Sequence, residues 1–260
     1  MTKRIAYTGA SGSLGSCFPK SDNFKPLLSR LEDNLDELVK EFSQIKPEVY
    51  IHLAGLTGLR ECEENITKAY NLNVESAVKF YKAASLSGVK RFIFVSSSHV
   101  YAPKKGRHIC TISSDLNPRS VYGKTKLEAE KKLATCSKRL KIPDLSVVRL
   151  FSLVSTLMRP NFLITNLHIR AKNNDFSEIE GLDYYRDFIT AEEAASKLIL
   201  LANSDKYPRL VNLCSGKPTK IRELANGIFS EYGHKNFHLV QGPRKKEDIE
   251  FLVGKPTPIE

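Results

Sequence analysis

A chain of 260 residues with 41% hydrophobic content is long enough for one large α/β unit with a smaller appended lobe. No apolar run approaches the roughly 20 residues that cross a bilayer, and no apolar leader opens the chain, so no membrane association is expected and a cytoplasmic location is. The formal net charge of +11 is scattered among acidic residues and lacks interleaved aromatics, which argues against nucleic acid and for a solvated basic surface suited to small anions.

In chain order, residues 3–8 read as a short strand of β-formers, followed at once by Gly9-Ala10-Ser11-Gly12-Ser13-Leu14-Gly15. Glycines three apart after a strand let backbone N–H groups approach a pyrophosphate without Cβ interference and deliver it to the positive end of the next helix. Pro19 and Pro26 interrupt the place where that helix would run, and the second strand, 26–29, is abbreviated. A helix at 34–45, a strand at 48–53, a long helix at 62–87 and a strand at 91–97 follow, the last ending in Ser96-Ser97-Ser98. The pattern continues with a helix at 121–140, a strand at 145–151, a helix at 190–203, a strand at 209–214 and a helix at 219–232.

This alternation predicts a parallel sheet covered on both faces, with ligands outside the carboxyl ends of the strands. Gly9 to Gly15, Leu53 to Thr57 and Ser96 to Tyr101 therefore open onto one crevice. Tyr122 and Lys126 stand four apart, on one face of a helix. A phenol titrates at about 10 and needs a neighbouring positive charge to exchange protons near neutrality. Cys17, Cys62, Cys110, Cys136 and Cys214 are scattered without C-x-x-C spacing, so neither a disulfide frame nor a zinc site is expected. His234 and His238 have helical spacing but no third ligand, and no metal is assigned.

Thr8 to Gly15, His52-Leu53-Ala54-Gly55, Asn73-Val74, Ser96 to Tyr101, Tyr122-x-x-x-Lys126 and Arg186-Asp187-Phe188 occur in this order over nearly the whole chain. Together they resemble the extended short-chain dehydrogenase/reductase family, and within it the NAD(P)-dependent nucleotide-sugar epimerase, dehydratase and reductase branch. The resemblance implies a Rossmann-like doubly wound parallel sheet with a small C-terminal substrate-binding lobe. Residues 1–150, rejoined by 190–215, would form the dinucleotide-binding domain, and 151–189 with 216–260 the lobe.

The resemblance also implies roles. Tyr122 would exchange a proton with a sugar oxygen, Lys126 would lower the phenol's pKa and bind the nicotinamide ribose, and Ser97 would steady the same oxygen. Gly9, Ser11, Gly12, Leu14, Gly15, Leu53, Ala54, Gly55 and Asn73 would line the cofactor. Arg30 falls near the position that selects NAD or NADP, with Glu32 and Asp33 beyond it, and the choice between the two stays open; Arg30 equally suits a plain surface. Ser98, Arg186 and Arg244 would contact the nucleotide-sugar substrate, although Lys245 and Lys246 beside Arg244 also fit an ordinary charged surface. Homodimerisation through the helices at 62–87 and 121–140 is a further family-level expectation.

Sugar-nucleotide dehydratases of the family carry an Asp-Glu pair where this chain has Ser98 and His99, which disfavours 4,6-dehydration. Reduction of a 4-keto sugar or C4 epimerisation leads instead, with His99, and more loosely His168, as further acid/base groups or as structural histidines. Two departures, Leu153-Val154-Ser155-Thr156 in place of an Asn-x-Tyr-Gly-Pro-like turn and a short sequence that stops at Glu260 where relatives commonly continue, keep a rival in view: a catalytically silent dinucleotide-binding regulatory or partner-binding protein.

Overall fold

The computed structural model describes residues 3–155, 157, 160, 162–243 and 249–260. The first half of the chain forms β1 (Ile5–Tyr7), β2 (Phe24–Pro26), α1 (Leu35–Ile45), β3 (Val49–His52), α2 (Leu59–Glu64), α3 (Ile66–Tyr70), α4 (Ser76–Leu86), β4 (Arg91–Ser97), β5 (Ile109–Cys110) and α5 (Val121–Leu140). The second half adds β6 (Asp144–Leu150), β7 (Ser152–Val154), α6 (Leu163–Lys172), β8 (Tyr185–Thr190), α7 (Ala191–Asn203), β9 (Leu210–Leu213), β10 (Pro218–Lys220), α8 (Ile221–Glu231) and β11 (Phe251–Gly254).

Alternation along the strands decides the layers. Ile5, Tyr7, Val49, Ile51, Ile93 and Val95 face one core with Ala194, Leu198 and Leu201 of α7. Ala6, Tyr50, Phe92 and Phe94 face the other, against Leu38 and Phe42 of α1, Phe80 and Tyr81 of α4 and Leu133 of α5. All pairs in this six-stranded sheet are parallel, in the order β2-β1-β3-β4-β6-β9. Strand order reverses at β1 and β3, and that switch point is where a doubly wound sheet opens a ligand crevice. The α/β, Rossmann-like reading is thereby met. No helix among the described residues is long and apolar enough to cross a membrane.

Three expectations need correction. No α-helix follows the glycine turn: only a 3-10 turn, Gly15–Cys17, forms before the chain enters β2. Leu14 and Phe18 fill that part of the sheet face instead, with Phe18 stacked on Tyr7 at 4.7 Å; Pro19, two residues past the turn, cannot donate to a continuing helix. The second strand lies at Phe24–Pro26, earlier than 26–29, because Leu27 N–H donates to the Tyr7 carbonyl as the chain leaves the sheet. The long helix at 62–87 is broken at Asn65, whose backbone (φ −136°, ψ 64°) is not helical, and carries a π turn at Asn71–Glu75.

Among the described residues, five strands and one helix lie outside the sequence reading. β10, β8, β11 and β5 form a second sheet in that order, with β7 pairing β8. These strands are short and their partners are remote: Ile109 of β5 sits opposite Val253 of β11. α6 begins after Phe162 without a side-chain cap, so nothing local announces it. It packs with α8 over a separate core that includes Leu167, Leu182, Ile221, Ala225 and Phe229. Asp187, fully buried, ties this region to the end of β9 by accepting from Ser215 N at 2.7 Å, Ser215 Oγ at 2.7 Å, Gly216 N at 2.9 Å and Gly254 N at 3.2 Å.

Candidate active site

At the carboxyl end of β1 the backbone reverses at Gly9, whose φ of +76° strains any residue with a side chain. Gly15 folds back against it so closely that an added Cβ would lie 2.1 Å from the Gly9 carbonyl oxygen. Ser11 and Gly12 are exposed at the tip, while Leu14 and Gly15 are buried. The end of β3 is pinned alongside: Thr8 Oγ1 accepts from the amides of Leu53 and Ala54, each at 3.2 Å. The Tyr50 hydroxyl backs Thr8 at 3.2 Å and pairs with His52 Nδ1 at 2.9 Å. Complete burial holds the His52 imidazole neutral, pushing its pKa down to about 3, with the Lys126 charge acting in the same direction.

The loop after β3 is locked by Asn73, which the π turn aims inward. Its Oδ1 accepts from Leu56 N at 2.8 Å, and its Nδ2 donates to Leu56 O and to Thr125 Oγ1, both at 3.0 Å. One side chain thus joins the crevice wall to α5. Gly55 sits in the same corner: a Cβ there would lie 2.7 Å from Asn73 Oδ1 and 3.6 Å from Lys126 Nζ.

α5 starts on the Ser120 hydroxyl, which accepts from Gly123 N at 3.1 Å, and this cap fixes Tyr122 in the first turn, over the end of β4. Ser97 Oγ accepts from His99 N at 3.2 Å and stands near enough to Tyr122 to draw its pKa down. Burial pushes the phenol up to about 12, and the Ser97 contact works against it. The His99 ring stands edge-on to Tyr122, 5.9 Å between centroids. Burial, with the nearby Arg186 charge adding, pushes the imidazole down to about 4. Lys126, only 2% exposed, donates to the Val95 carbonyl at 3.0 Å and lies 4.9 Å from the Phe94 ring centroid. Desolvation lowers it to about 8, opposed first by the Glu130 charge. The sequence reading gave Lys126 the task of drawing the phenol down; in the structure the group acting on Tyr122 in that direction is Ser97, and Lys126 is bound to the strand.

Ser97, His99, Tyr122 and Arg186 come together, as do Asn73, Gly55 and Lys126. Arg186 also donates to the Tyr185 carbonyl at 2.8 Å and lies over the Tyr184 ring. Ser98 is buried, 2% exposed. Arg30 is exposed beyond β2, in a loop whose Leu28 and Ser29 amides are held by the Glu41 carboxylate and whose own amide donates to Asp33 at 2.8 Å. His168 packs against Tyr232 of the second core instead of joining His99. Arg244 lies outside the described residues. An open groove of about 720 Å³ between Glu32 and the α2–α3 surface, lined also by Glu63, Asn65 and Lys68, contains none of the residues singled out for catalysis.

Residues 28–214 match the profile of the NAD dependent epimerase/dehydratase family. UDP-glucose 4-epimerase 2 of Oryza sativa subsp. japonica is 26% identical over 282 aligned positions, covering 99% of this chain and 66% of that protein. A GDP-6-deoxy-D-mannose reductase of Pseudomonas aeruginosa is 25% identical, covering 96% of this chain and 86% of the reductase. The chain thus spans about two thirds of the length of the plant epimerase. In fold it is similar to a UDP-glucose 4-epimerase of Thermotoga maritima solved with UDP-glucose (TM-score 0.83, 18% identity, 97% of this chain and 90% of that one). It is equally similar to a dTDP-glucose 4,6-dehydratase double mutant of Streptomyces venezuelae solved with NAD (TM-score 0.85, 16% identity, 97% and 88% covered). With the profile spanning β3, β4, α5, β6 and β9, the chain belongs to the NAD dependent epimerase/dehydratase family.

Proposed function

We propose that this chain is an NAD(P)-dependent enzyme that reduces or epimerises a carbon of a nucleotide-activated sugar, with Tyr122 exchanging the proton at the sugar oxygen. The observation that carries this reading is the meeting of Ser97, Tyr122 and His99 at the carboxyl end of β4, beside a glycine turn folded so tightly on itself and on the loop after β3 that Gly9, Gly15 and Gly55 have no room for a side chain. A turn this tight after a parallel strand suits a dinucleotide's pyrophosphate. Gly9, Ser11, Gly12, Leu14 and Gly15 would hold its pyrophosphate, Arg30 its adenosine ribose, Leu53 to Gly55 and Asn73 its flank, and Lys126 with Tyr122 its nicotinamide ribose. The nicotinamide, when bound, supplies the hydride acceptor and donor.

A phenol held near 12 is protonated at neutral pH, so Tyr122 is ready to give a proton to a ketone oxygen, with Ser97 steadying that oxygen. His99, kept neutral, serves as a proton acceptor or relay beside the phenol, and Arg186 offers a guanidinium for the substrate diphosphate. Ser98 and Arg244 complete the proposed substrate contacts, and the segments 151–189 and 216–260 the proposed lobe. The names of the curated relatives, a sugar-nucleotide epimerase and a sugar-nucleotide reductase, support the substrate class.

Titrating the chain with NAD, NADP and a panel of UDP-, GDP-, CDP- and dTDP-sugars should raise its melting temperature with one dinucleotide and one sugar nucleotide. No shift with any dinucleotide would remove the proposal. Binding without turnover would favour the silent regulatory protein, a reading that the missing helix after the glycine turn supports.

Gly15→Ala tests the cradle separately. A methyl group 2.1 Å from Gly9 O and 2.9 Å from Ala10 Cα meets backbone that cannot swing aside. The turn must open, at a cost of about 1–3 kcal/mol. Dinucleotide affinity should fall at least about tenfold, measured by calorimetry; unaltered affinity would place the pyrophosphate elsewhere.

A further inference from the structure

Three consecutive residues at the end of β4 meet successive turns along one face of α5. Ser97 faces Tyr122, the Val95 carbonyl accepts from Lys126 Nζ at 3.0 Å, and Ser96 Oγ donates to Glu130 Oε1 at 2.5 Å. Glu130 is 8% exposed and is gripped from β6 by Arg149, with Nη2 at 2.8 Å from Oε2 and Nε at 3.2 Å from Oε1. Arg149 in turn donates to the Tyr101 hydroxyl at 3.2 Å, and Tyr101 donates to Asn212 Oδ1 of β9. The carboxylate is therefore held between Ser96 of β4 and Arg149 of β6, one helical turn beyond Lys126.

Lys126 is a buried ammonium in apolar surroundings, a costly state unless negative charge stands near. The other titratable groups around it are His52 of β3, Cys62 of α2 and Tyr122 of its own helix. His52 is held neutral and Cys62 is pushed up to about 11, so neither carries charge at neutral pH, and the Tyr122 phenol is protonated there too. Glu130 is left as the compensating charge among the described residues that act on Lys126. We propose that Glu130, clamped by Ser96 and Arg149, is a positioning residue whose carboxylate keeps Lys126 in its ammonium form at the crevice. The importance of that ammonium rests on the proposed function; its protonation does not.

The test is a titration of the Lys126 side chain in the full chain by NMR of ¹³Cε-labelled lysine, assigned with Lys126→Arg, without substrate or cofactor. Wild-type Lys126 should titrate near 8. Glu130→Gln should lower that midpoint by about one pH unit or more, and Glu130→Asp, which keeps the charge, should restore most of it. Because Glu130→Gln strands the Arg149 charge in the interior, the double variant Glu130→Gln/Arg149→Gln provides a second route with two neutral amides, and its midpoint should fall too. A midpoint within about 0.3 unit of wild type in either folded variant overturns the proposal. So does a wild-type midpoint below about 7, which would leave the amine neutral whatever Glu130 does. The readout requires no turnover, so a failed activity assay with a normal titration counts against the proposed function alone.

Discussion

Tyr122→Phe is expected to lower kcat by about 10²–10⁴-fold with KM nearly unchanged, since it removes only the proton-transferring oxygen. The ring stays where the Ser120 cap and the edge-on His99 contact hold it, so the substitution separates chemistry from fold. Stability at neutral pH should change by no more than about 1 kcal/mol, since one buried hydroxyl facing Ser97 is removed and the ring is kept. The pH sign follows from the raised phenol. The native pKa of about 12 exceeds the ordinary 10, so burial of the neutral form stabilises the wild type below pH 10, and that contribution is lost as pH rises towards 12. The variant should therefore gain on the wild type across that window. Assays with the sugar nucleotide that gives the largest melting shift decide the matter. Equal turnover by the two proteins would end Tyr122's role.

What the sequence disclosed divides by range. Tyr122 and Lys126 were legible because a four-residue spacing on a capped helix is a local statement, and Ser97 because it ends a continuous apolar strand. The glycine turn was legible for the same reason, but the absence of its helix was decided by Pro19 and by Phe18 stacking back on Tyr7. Glu130 stands one turn past Lys126, and its acidic charge there was a readable signal; its clamp by Arg149 and Ser96 depends on strands brought together only by folding. Asp187 was read as the middle of an Arg-Asp-Phe run, whereas its four accepted hydrogen bonds come from residues 28 to 67 positions away. The second sheet stayed hidden because each of its short strands gains meaning only from a distant partner.

Lys126→Met is expected to lose turnover while changing the pH dependence of stability by about 3 kcal/mol. Wild-type Lys126 falls from the ordinary 10.5 to about 8 on folding, a difference worth about 3 kcal/mol at 1.36 kcal/mol per pKa unit. A depressed folded pKa means that the unfolded chain binds the proton more tightly: the burial cost is present in full below pH 8, shrinks between 8 and 10.5, and is gone above. Methionine has a similar length and no charge, so it is spared that cost at every pH, while leaving the Val95 carbonyl without its Lys126 donor under all conditions alike. Subtracting wild-type from variant stability cancels the fixed loss and isolates the charge. The variant's advantage should be largest at pH 7 and should decline by about 3 kcal/mol by pH 10.5, measured by urea denaturation at each pH. A difference that does not vary with pH would mean that Lys126 keeps its ordinary pKa in the folded chain, whereas a decline of about 5 kcal/mol, one proton over the whole interval, would mean that it is already neutral at pH 7. In the latter case neither the ammonium at the crevice nor its compensation by Glu130 would survive, whereas a decline of about 3 kcal/mol together with lost turnover would mark Lys126 as a charge retained at the expense of stability.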